Sequence, residues 1–142
     1  MKVEEFIDRM TRISEEEDKL SSEKARLMKP ILYDYVLIPD IYNVFVEEAR
    51  KLKPCLNVSS TDAKRVFLFI IPYLYSPRTL FGNKMRKGLR PELKRLFNCD
   101  PTVLSYYSRN LSFFYQVYPS FRSNVNILLD AIMKTFILDE EK

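Results

Sequence analysis

The chain has 142 residues, of which 46% are hydrophobic and only two are glycine. This length fits one domain, the apolar content excludes a globally disordered chain, and the scarcity of glycine disfavours a turn-rich β-sandwich. The formal net charge is +4, and no apolar run approaches the roughly 20 residues that a membrane-spanning helix requires. We therefore expect an all-α, cytoplasmic protein with no membrane partner.

Residues 1–28 are predicted to form an extended amphipathic helix outside the main domain. Apolar residues recur there at three- and four-residue spacing: Val3, Phe6, Met10, Ile13, Leu20 and Leu27. Glu17 and Lys24 interrupt this row, and a capping box of Ser14 and Glu17 would split the segment into two helices. The pattern predicts a helix docked on the domain or a short coiled coil, and the coiled coil would make a homodimer.

Residues 29–142 are predicted to form a small multi-helix domain. After Pro30, the run ILYDYVLIP fits either a strand or a helix, and both stay open. A helix is predicted from Pro39 or Asp40, with Asp40 as its cap, and Pro54 is expected to stop it.

The segment AKRVFLFIIPYLY is predicted to be the central helix of this domain. Ser60 or Thr61 is expected to cap it, and Pro72 is expected to kink or end it. A helix that is apolar nearly all round is typical of the buried centre of a small domain. A buried strand is the alternative.

Positive charge is concentrated in the second half of the chain. Residues 1–60 carry a net charge of −2, whereas residues 61–142 carry +6. Nine basic side chains lie between Arg78 and Arg122, against two acidic ones. Part of this block is a predicted loop, GNKMRKG, which lacks the Gly-Lys-Ser/Thr ending of a nucleotide-binding P-loop. We expect its cations to bind DNA phosphates instead.

Residues 89–109 are predicted to form two short helices joined by a tight turn. Pro91 suits the first turn of a helix, and Asn98 tolerates the left-handed backbone at its end. Asp100 is expected to cap the second helix with its carboxylate, and Pro101 to occupy its first position.

The second of these helices is predicted to run on without a break through NLSFFYQVY to Pro119. Ser120 is then expected to cap a last amphipathic helix. The acidic letters DEEK are predicted to form a frayed tail.

The stretch of residues 89–109 resembles the helix-turn-helix of DNA-binding domains, without pointing to one specific family. The apolar positions that hold such a pair together carry Leu93, Phe97, Cys99, Leu104 and Tyr107. Two positions depart from the pattern, since Asn98 stands where the turn usually has Gly and Lys94 where the first helix has a small residue. The resemblance implies that the second helix enters the major groove of double-stranded DNA.

Two sets of DNA-contacting residues follow. The resemblance implies that exposed residues early in the second helix contact base edges: Thr102, Ser105, Tyr106 and Arg109. The surrounding cations are expected to contact the phosphate backbone: Arg78, Lys84, Arg86, Lys87, Arg90, Lys94 and Arg95. The expected function is that of a transcriptional regulator, or of a replication or partition accessory factor, associated with the nucleoid.

Enzyme chemistry is not expected of this sequence. It contains no histidine, and so lacks the commonest general base at neutral pH and the commonest zinc ligand. Cys55 and Cys99 cannot form a structural zinc site by themselves. Free thiols are predicted, with a disulfide between them as the alternative. We expect no catalytic residue, no metal and no cofactor.

A second function stays open beside DNA binding. A helical assembly or adaptor protein would also have a basic face, which would then meet an acidic protein partner. A structural component of a phage or mobile element belongs to this class. Binding to duplex DNA at low salt would distinguish the two functions.

Overall fold

The structure, a computed structural model, describes residues 1–137. Within this range it contains seven α-helices and no β-strand, which confirms the all-α prediction. The helices are α1 (Val3–Leu27), α2 (Ile38–Lys51), α3 (Thr61–Tyr75), α4 (Leu89–Phe97), α5 (Pro101–Tyr107), α6 (Leu111–Val117) and α7 (Pro119–Phe136). The predicted DEEK tail lies outside the described residues.

α1 is a single continuous helix of 25 residues, as the extended N-terminal helix was expected to be. The split at Ser14 and Glu17 does not occur. No residue of α1 is buried, so the helix is not docked on the domain. The chain that follows it is attached to α3, because the amides of Ile31 and Leu32 donate to the Leu74 carbonyl oxygen at 2.8 and 2.9 Å.

Residues 31–37 of the run ILYDYVLIP form neither the strand nor the helix that its pattern allowed, and its last two residues belong to α2. The run contains a single 3-10 turn at Tyr35–Leu37, which Asp34 caps by accepting a hydrogen bond from the Val36 amide at 3.0 Å. The turn leads directly into α2, which begins at Ile38. Asp40 therefore lies in the first turn of α2 and does not cap it, contrary to the prediction.

α3 is the predicted buried helix. Ser60 caps it, since its Oγ accepts from the Ala63 amide at 3.1 Å. The helix does not end at Pro72 but continues to Tyr75. Pro72 cannot donate a backbone hydrogen bond within the helix. Leu74 and Tyr75 are fully buried, and the burial of these two large side chains offsets the missing hydrogen bond in the last turn.

The hydrophobic core surrounds α3. α2, α5, α6 and α7 all pack against it, and α7 also packs against α2 and α6. Fully buried side chains from three helices meet at the centre: Ile41, Phe45, Phe67, Ile70, Leu128 and Ile132. The helix pair α4–α5 is attached to this core through Leu89, Leu93 and Leu104.

The long helix predicted to follow Pro101 is interrupted. α5 ends at Tyr107, and Asn110 has a left-handed backbone, with φ of 59°, before α6 begins at Leu111. Leu104 and Leu111 are both buried. Their seven-residue spacing matches two turns of an unbroken helix, so the apolar pattern hides the break.

The last helix begins two residues earlier than predicted. Pro119 is its first residue and Tyr118 is in the N-cap position, so Ser120 lies inside the helix and does not cap it. Pro119 needs no amide partner at this position, because the first amides of a helix have no intrahelical acceptor.

Candidate nucleic-acid interface

α4 and α5 are joined by the three residues of a tight turn, 98–100. Asn98 adopts the predicted left-handed backbone, with φ of 48° and ψ of 50°. The next amide, that of Cys99, donates to the Lys94 carbonyl oxygen at 3.3 Å. Asp100 occupies the predicted N-cap position, but its carboxylate accepts no hydrogen bond from α5. The expected position is correct and the expected capping bond is absent.

The five apolar residues of the helix pair all face the protein interior. Leu93 and Leu104 are fully buried. The remaining three are partly buried and packed against the core: Phe97, Cys99 and Tyr107. Lys94, where a small residue was expected, is exposed. Its bulk therefore does not disturb the contact between the two helices.

The four residues expected at base edges have three different surroundings. Thr102 and Tyr106 are exposed on α5, and 59% of the Tyr106 surface is accessible. Ser105 is half-buried and accepts a hydrogen bond from Arg90. Arg109 is exposed but lies after the end of α5, in the break before α6.

The seven cations expected at phosphates also differ in their surroundings. Four are exposed, and their side chains form neither an ion pair nor a hydrogen bond within residues 1–137: Arg78, Lys84, Lys87 and Lys94. Arg95 is also exposed, and its Nη1 lies 3.2 Å from Glu92 Oε1 on the same helix. The first four are therefore free to meet an anion.

Arg86 has an intramolecular role. Its Nε donates to the Tyr35 hydroxyl at 2.9 Å, and its Nη2 donates to the Tyr33 carbonyl oxygen at 2.7 Å. Its guanidinium carbon also lies 4.9 and 4.8 Å from the ring centroids of the same tyrosines. Arg86 therefore fixes residues 82–88, the basic loop, to the segment between α1 and α2.

Arg90 connects the two helices of the pair. From the first turn of α4, its Nη2 donates to the Pro101 carbonyl oxygen at 2.9 Å and to the Ser105 hydroxyl. The side chain is exposed. Its other guanidinium N–H groups have no acceptor among the described residues.

A cleft of about 510 Å³ lies between the basic loop and the short connection between α5 and α6. Three cations line it: Lys84, Arg90 and Arg109. Four hydroxyl side chains line it as well: Thr79, Ser105, Ser108 and Ser112. No described lining residue carries a carboxylate. Cationic and hydroxyl donors without a competing anion are the groups that bind phosphate oxygens in protein–DNA complexes.

The sequence predicted only part of this cleft. It predicted all three cations, and Ser105, as DNA-contacting residues. It did not predict Thr79, Ser108 or Ser112, which lie on different elements and have no common spacing. Ser108 is partly engaged, since its Oγ donates to the Leu104 carbonyl oxygen at 2.8 Å.

A further cation that the sequence did not single out lies beneath α5. The Arg65 guanidinium carbon of α3 is 5.1 Å from the ring centroid of Phe114, 5.8 Å from that of Tyr107 and 5.9 Å from that of Tyr106. Arg65 therefore contacts residues of both α5 and α6 through their aromatic faces. This contact stabilises the position of α5 relative to the core.

The described residues contain no group of three or more side chains that could hold a metal ion. No helix within residues 1–137 is long and apolar enough to cross a membrane. Cys55 and Cys99 are both free thiols, as predicted.

Comparison with known proteins gives no relative for this chain. No protein-family model matches it, and neither the curated proteins nor the solved structures contain a match.

Proposed function

We propose that the chain binds double-stranded DNA through α5 and the adjoining cleft, and acts without catalysis as a regulator or accessory factor. The observation that carries this proposal is the cleft itself, in which Lys84, Arg90 and Arg109 meet hydroxyl donors without a carboxylate. Such a lining suits the phosphate backbone of a nucleic acid.

The surroundings of the cleft favour a long polyanion over a small one. Lys87 and Lys94 are exposed outside the lining of the cleft, so a bound anion that is small would leave them unused. Duplex DNA carries one negative charge per about 1.7 Å of its axis and can supply a phosphate to each dispersed cation.

We divide the four residues that the helix-turn-helix resemblance places at base edges into base contacts and backbone contacts. Thr102 and Tyr106 are exposed on α5, outside the cleft, and we assign base contacts to them. Ser105 and Arg109 line the cleft with Lys84, so we assign backbone contacts to these two. Loss of a backbone contact weakens binding to all sequences, whereas loss of a base contact changes sequence preference.

A salt series tests the backbone contacts. The double variant Lys84→Ala/Arg109→Ala should weaken binding to a labelled mixed-sequence duplex and should lower the slope of log affinity against log salt by about 2, since each lost contact removes about 0.9. The matched control is Lys19→Ala/Lys134→Ala, which removes the same charge from α1 and α7. Equal slopes for the two double variants would contradict the proposed site.

Selection from a pool of random duplexes tests the base contacts. Thr102→Ala and Tyr106→Ala should each retain the salt dependence of the parent chain and lose preference at a base pair, at a cost of about 1–3 kcal/mol. An unchanged preferred sequence in both variants would exclude α5 as the reading helix.

The adaptor function is the second candidate, and exposed apolar side chains outside the cleft favour it. On α6 and the residue after it, Phe113, Val117 and Tyr118 are 51%, 48% and 49% exposed. Such a surface suits a protein partner. If the parent chain does not retain duplex DNA at low salt, the adaptor function replaces DNA binding.

A second copy of the chain is also part of the proposal. The apolar row of α1 is uncovered in the single chain, and DNA-binding helix pairs commonly act as dimers on two half-sites.

A further inference from the structure

α1 presents an apolar row that the rest of the described chain leaves uncovered. Its members are between 44% and 78% exposed: Val3, Phe6, Met10, Ile13, Leu20 and Leu27. Burying apolar side chains of this size is favourable. A helix of 25 residues with such a row gains stability when it pairs with a second helix.

The row consists of two columns with seven-residue spacing. One column is apolar throughout: Phe6, Ile13, Leu20 and Leu27. The other begins apolar and becomes charged: Val3, Met10, Glu17 and Lys24. In a coiled coil these columns are the two core positions of the heptad. The charges in the second column distinguish between the two orientations of a pair.

A parallel pair is unfavourable for this pattern. In register, each core residue meets its own counterpart, so Glu17 would face Glu17 of the other copy and Lys24 would face Lys24. Both contacts bring like charges together in the core of the pair, where they are less screened than at an exposed surface.

An antiparallel pair removes both repulsions. If facing core residues have numbers that add up to 30, each layer combines one column with the other. Leu27 then faces Val3 and Leu20 faces Met10, while each charged residue faces an apolar one. The four layers are Val3–Leu27, Phe6–Lys24, Met10–Leu20 and Ile13–Glu17. The aliphatic stems of Lys24 and Glu17 can cover Phe6 and Ile13 while their charged ends reach water.

The residues beside the core agree with this register. Arg9 of each copy lies next to Glu23 of the other, which gives two attractive pairs. Glu16 meets its own counterpart near the two-fold axis. That repulsion is exposed to solvent and is therefore weaker than the repulsion in two like-charged layers of the core.

The charge of α1 favours a second copy over a lipid surface. The helix contains eight acidic and five basic side chains, a net charge of −3. Anionic membrane surfaces attract helices with basic polar faces and repel this one. We infer that α1 pairs with α1 of a second copy in the antiparallel register defined above.

This arrangement has a geometric consequence, which rests on the proposed DNA binding. An antiparallel pair places the two helical domains at opposite ends of the paired α1 helices. A helix of 25 residues is about 37 Å long. Adjacent half-sites on one face of DNA are about 34–36 Å apart. The length of the paired α1 helices therefore matches the spacing of adjacent half-sites.

Sedimentation of the full chain tests the pairing. The parent chain should have twice the mass of a single chain, and Ile13→Asp should halve it because an acid then lies in the core. Thr11→Asp, which adds the same charge on the opposite face of α1, should remain a dimer. A parent chain that sediments as a monomer, or an Ile13→Asp variant that stays dimeric, would overturn the inference.

Disulfide exchange tests the orientation. In a background with Cys55→Ser and Cys99→Ala, one chain carries Met10→Cys and a second, distinguishable by mass, carries Leu20→Cys. Antiparallel pairing should make the mixed disulfide the dominant product in a thiol redox buffer. Predominant disulfides between identical chains would show a parallel pair. DNA binding by the Ile13→Asp variant is measured separately, so that failure of the dimer and failure of DNA binding are distinguished.

Discussion

Arg90 Nη2 lies 2.9 Å from the carbonyl oxygen of Pro101, which ties the first turn of α4 to the first residue of α5. The same nitrogen also donates to Ser105 one turn further along α5. One cation therefore both connects the two helices and lines the cleft.

We expect Arg90→Ala to lower the free energy of unfolding by about 1–2 kcal/mol, because it removes hydrogen bonds from a charged donor. Urea denaturation measures this loss. Arg95→Ala is the control on the same helix, since its exposed pair with Glu92 contributes less than about 0.5 kcal/mol. Equal losses in the two variants would contradict a connecting role for Arg90.

Arg86→Ala should reduce stability by at least about 2 kcal/mol. The change removes two hydrogen bonds and two aromatic contacts with Tyr33 and Tyr35. Arg86→Lys should not restore stability, because an ammonium cannot reproduce the planar guanidinium fork. The neighbouring exposed cation gives the contrast: Arg78→Ala should leave the urea midpoint unchanged. A stable Arg86→Ala variant with a flatter salt dependence of DNA binding would instead make Arg86 a phosphate contact.

Substitutions at Asn110 should reveal the left-handed break between α5 and α6. Asn110→Ala should cost about 1–2 kcal/mol, since a φ of 59° strains a residue with a methyl side chain, and Asn110→Gly should be nearly neutral. At Asn43, inside α2, the order should reverse, with Ala more stable than Gly by about 1 kcal/mol. Thermal or urea denaturation of the four variants checks both orders.

Tyr75 should make the protein sensitive to alkali. Burial raises the pKa of its phenol well above the ordinary value, the Asp34 carboxylate raises it further, and Arg86 opposes the shift. The unfolded chain loses this proton near pH 10, whereas the folded chain retains it. Ionisation of Tyr75 therefore leaves the stability unchanged below about pH 10 and lowers it above that pH, by up to about 1.4 kcal/mol per pH unit.

Urea denaturation between about pH 8 and pH 11 measures this decline. Tyr75→Phe should be less stable at pH 8 by about 1 kcal/mol, because it loses the 2.7 Å bond to the Asp34 carbonyl oxygen, but its decline above pH 10 should be shallower. Tyr118→Phe, at an exposed position, should decline like the parent chain. Parallel curves for the parent and Tyr75→Phe would contradict the assignment.

The sequence predicted most helices because their signals are local. Ser60 and Asn98 mark a beginning and an end through backbone chemistry that a few neighbouring residues determine. The sequence did not predict the break at Asn110, because Leu104 and Leu111 keep helical spacing across it. The sequence predicts Asp40 as the cap of α2 because the 3-10 turn before α2 has no strong sequence pattern of its own.

The site was only partly predictable, for a different reason. The residue types show that Lys84 and Arg109 are cations. Residue type alone does not distinguish a cation that is free to bind a ligand from one that is held by contacts within the protein. Arg86 is structural because Tyr33 and Tyr35 lie about 50 residues earlier in the chain. Contacts at that separation depend on how the helices pack, which local patterns do not determine.

The position of α7 in the chain has a consequence for synthesis. α7 packs against α2 and α3, yet about 60 residues separate the end of α3 at Tyr75 from the end of α7 at Phe136. At translation rates of about 5–20 residues per second, α3 waits for several seconds before this cover is available. During that interval one of the most apolar segments of the chain lacks its partner helix, and uncovered apolar surface of this kind is prone to aggregate.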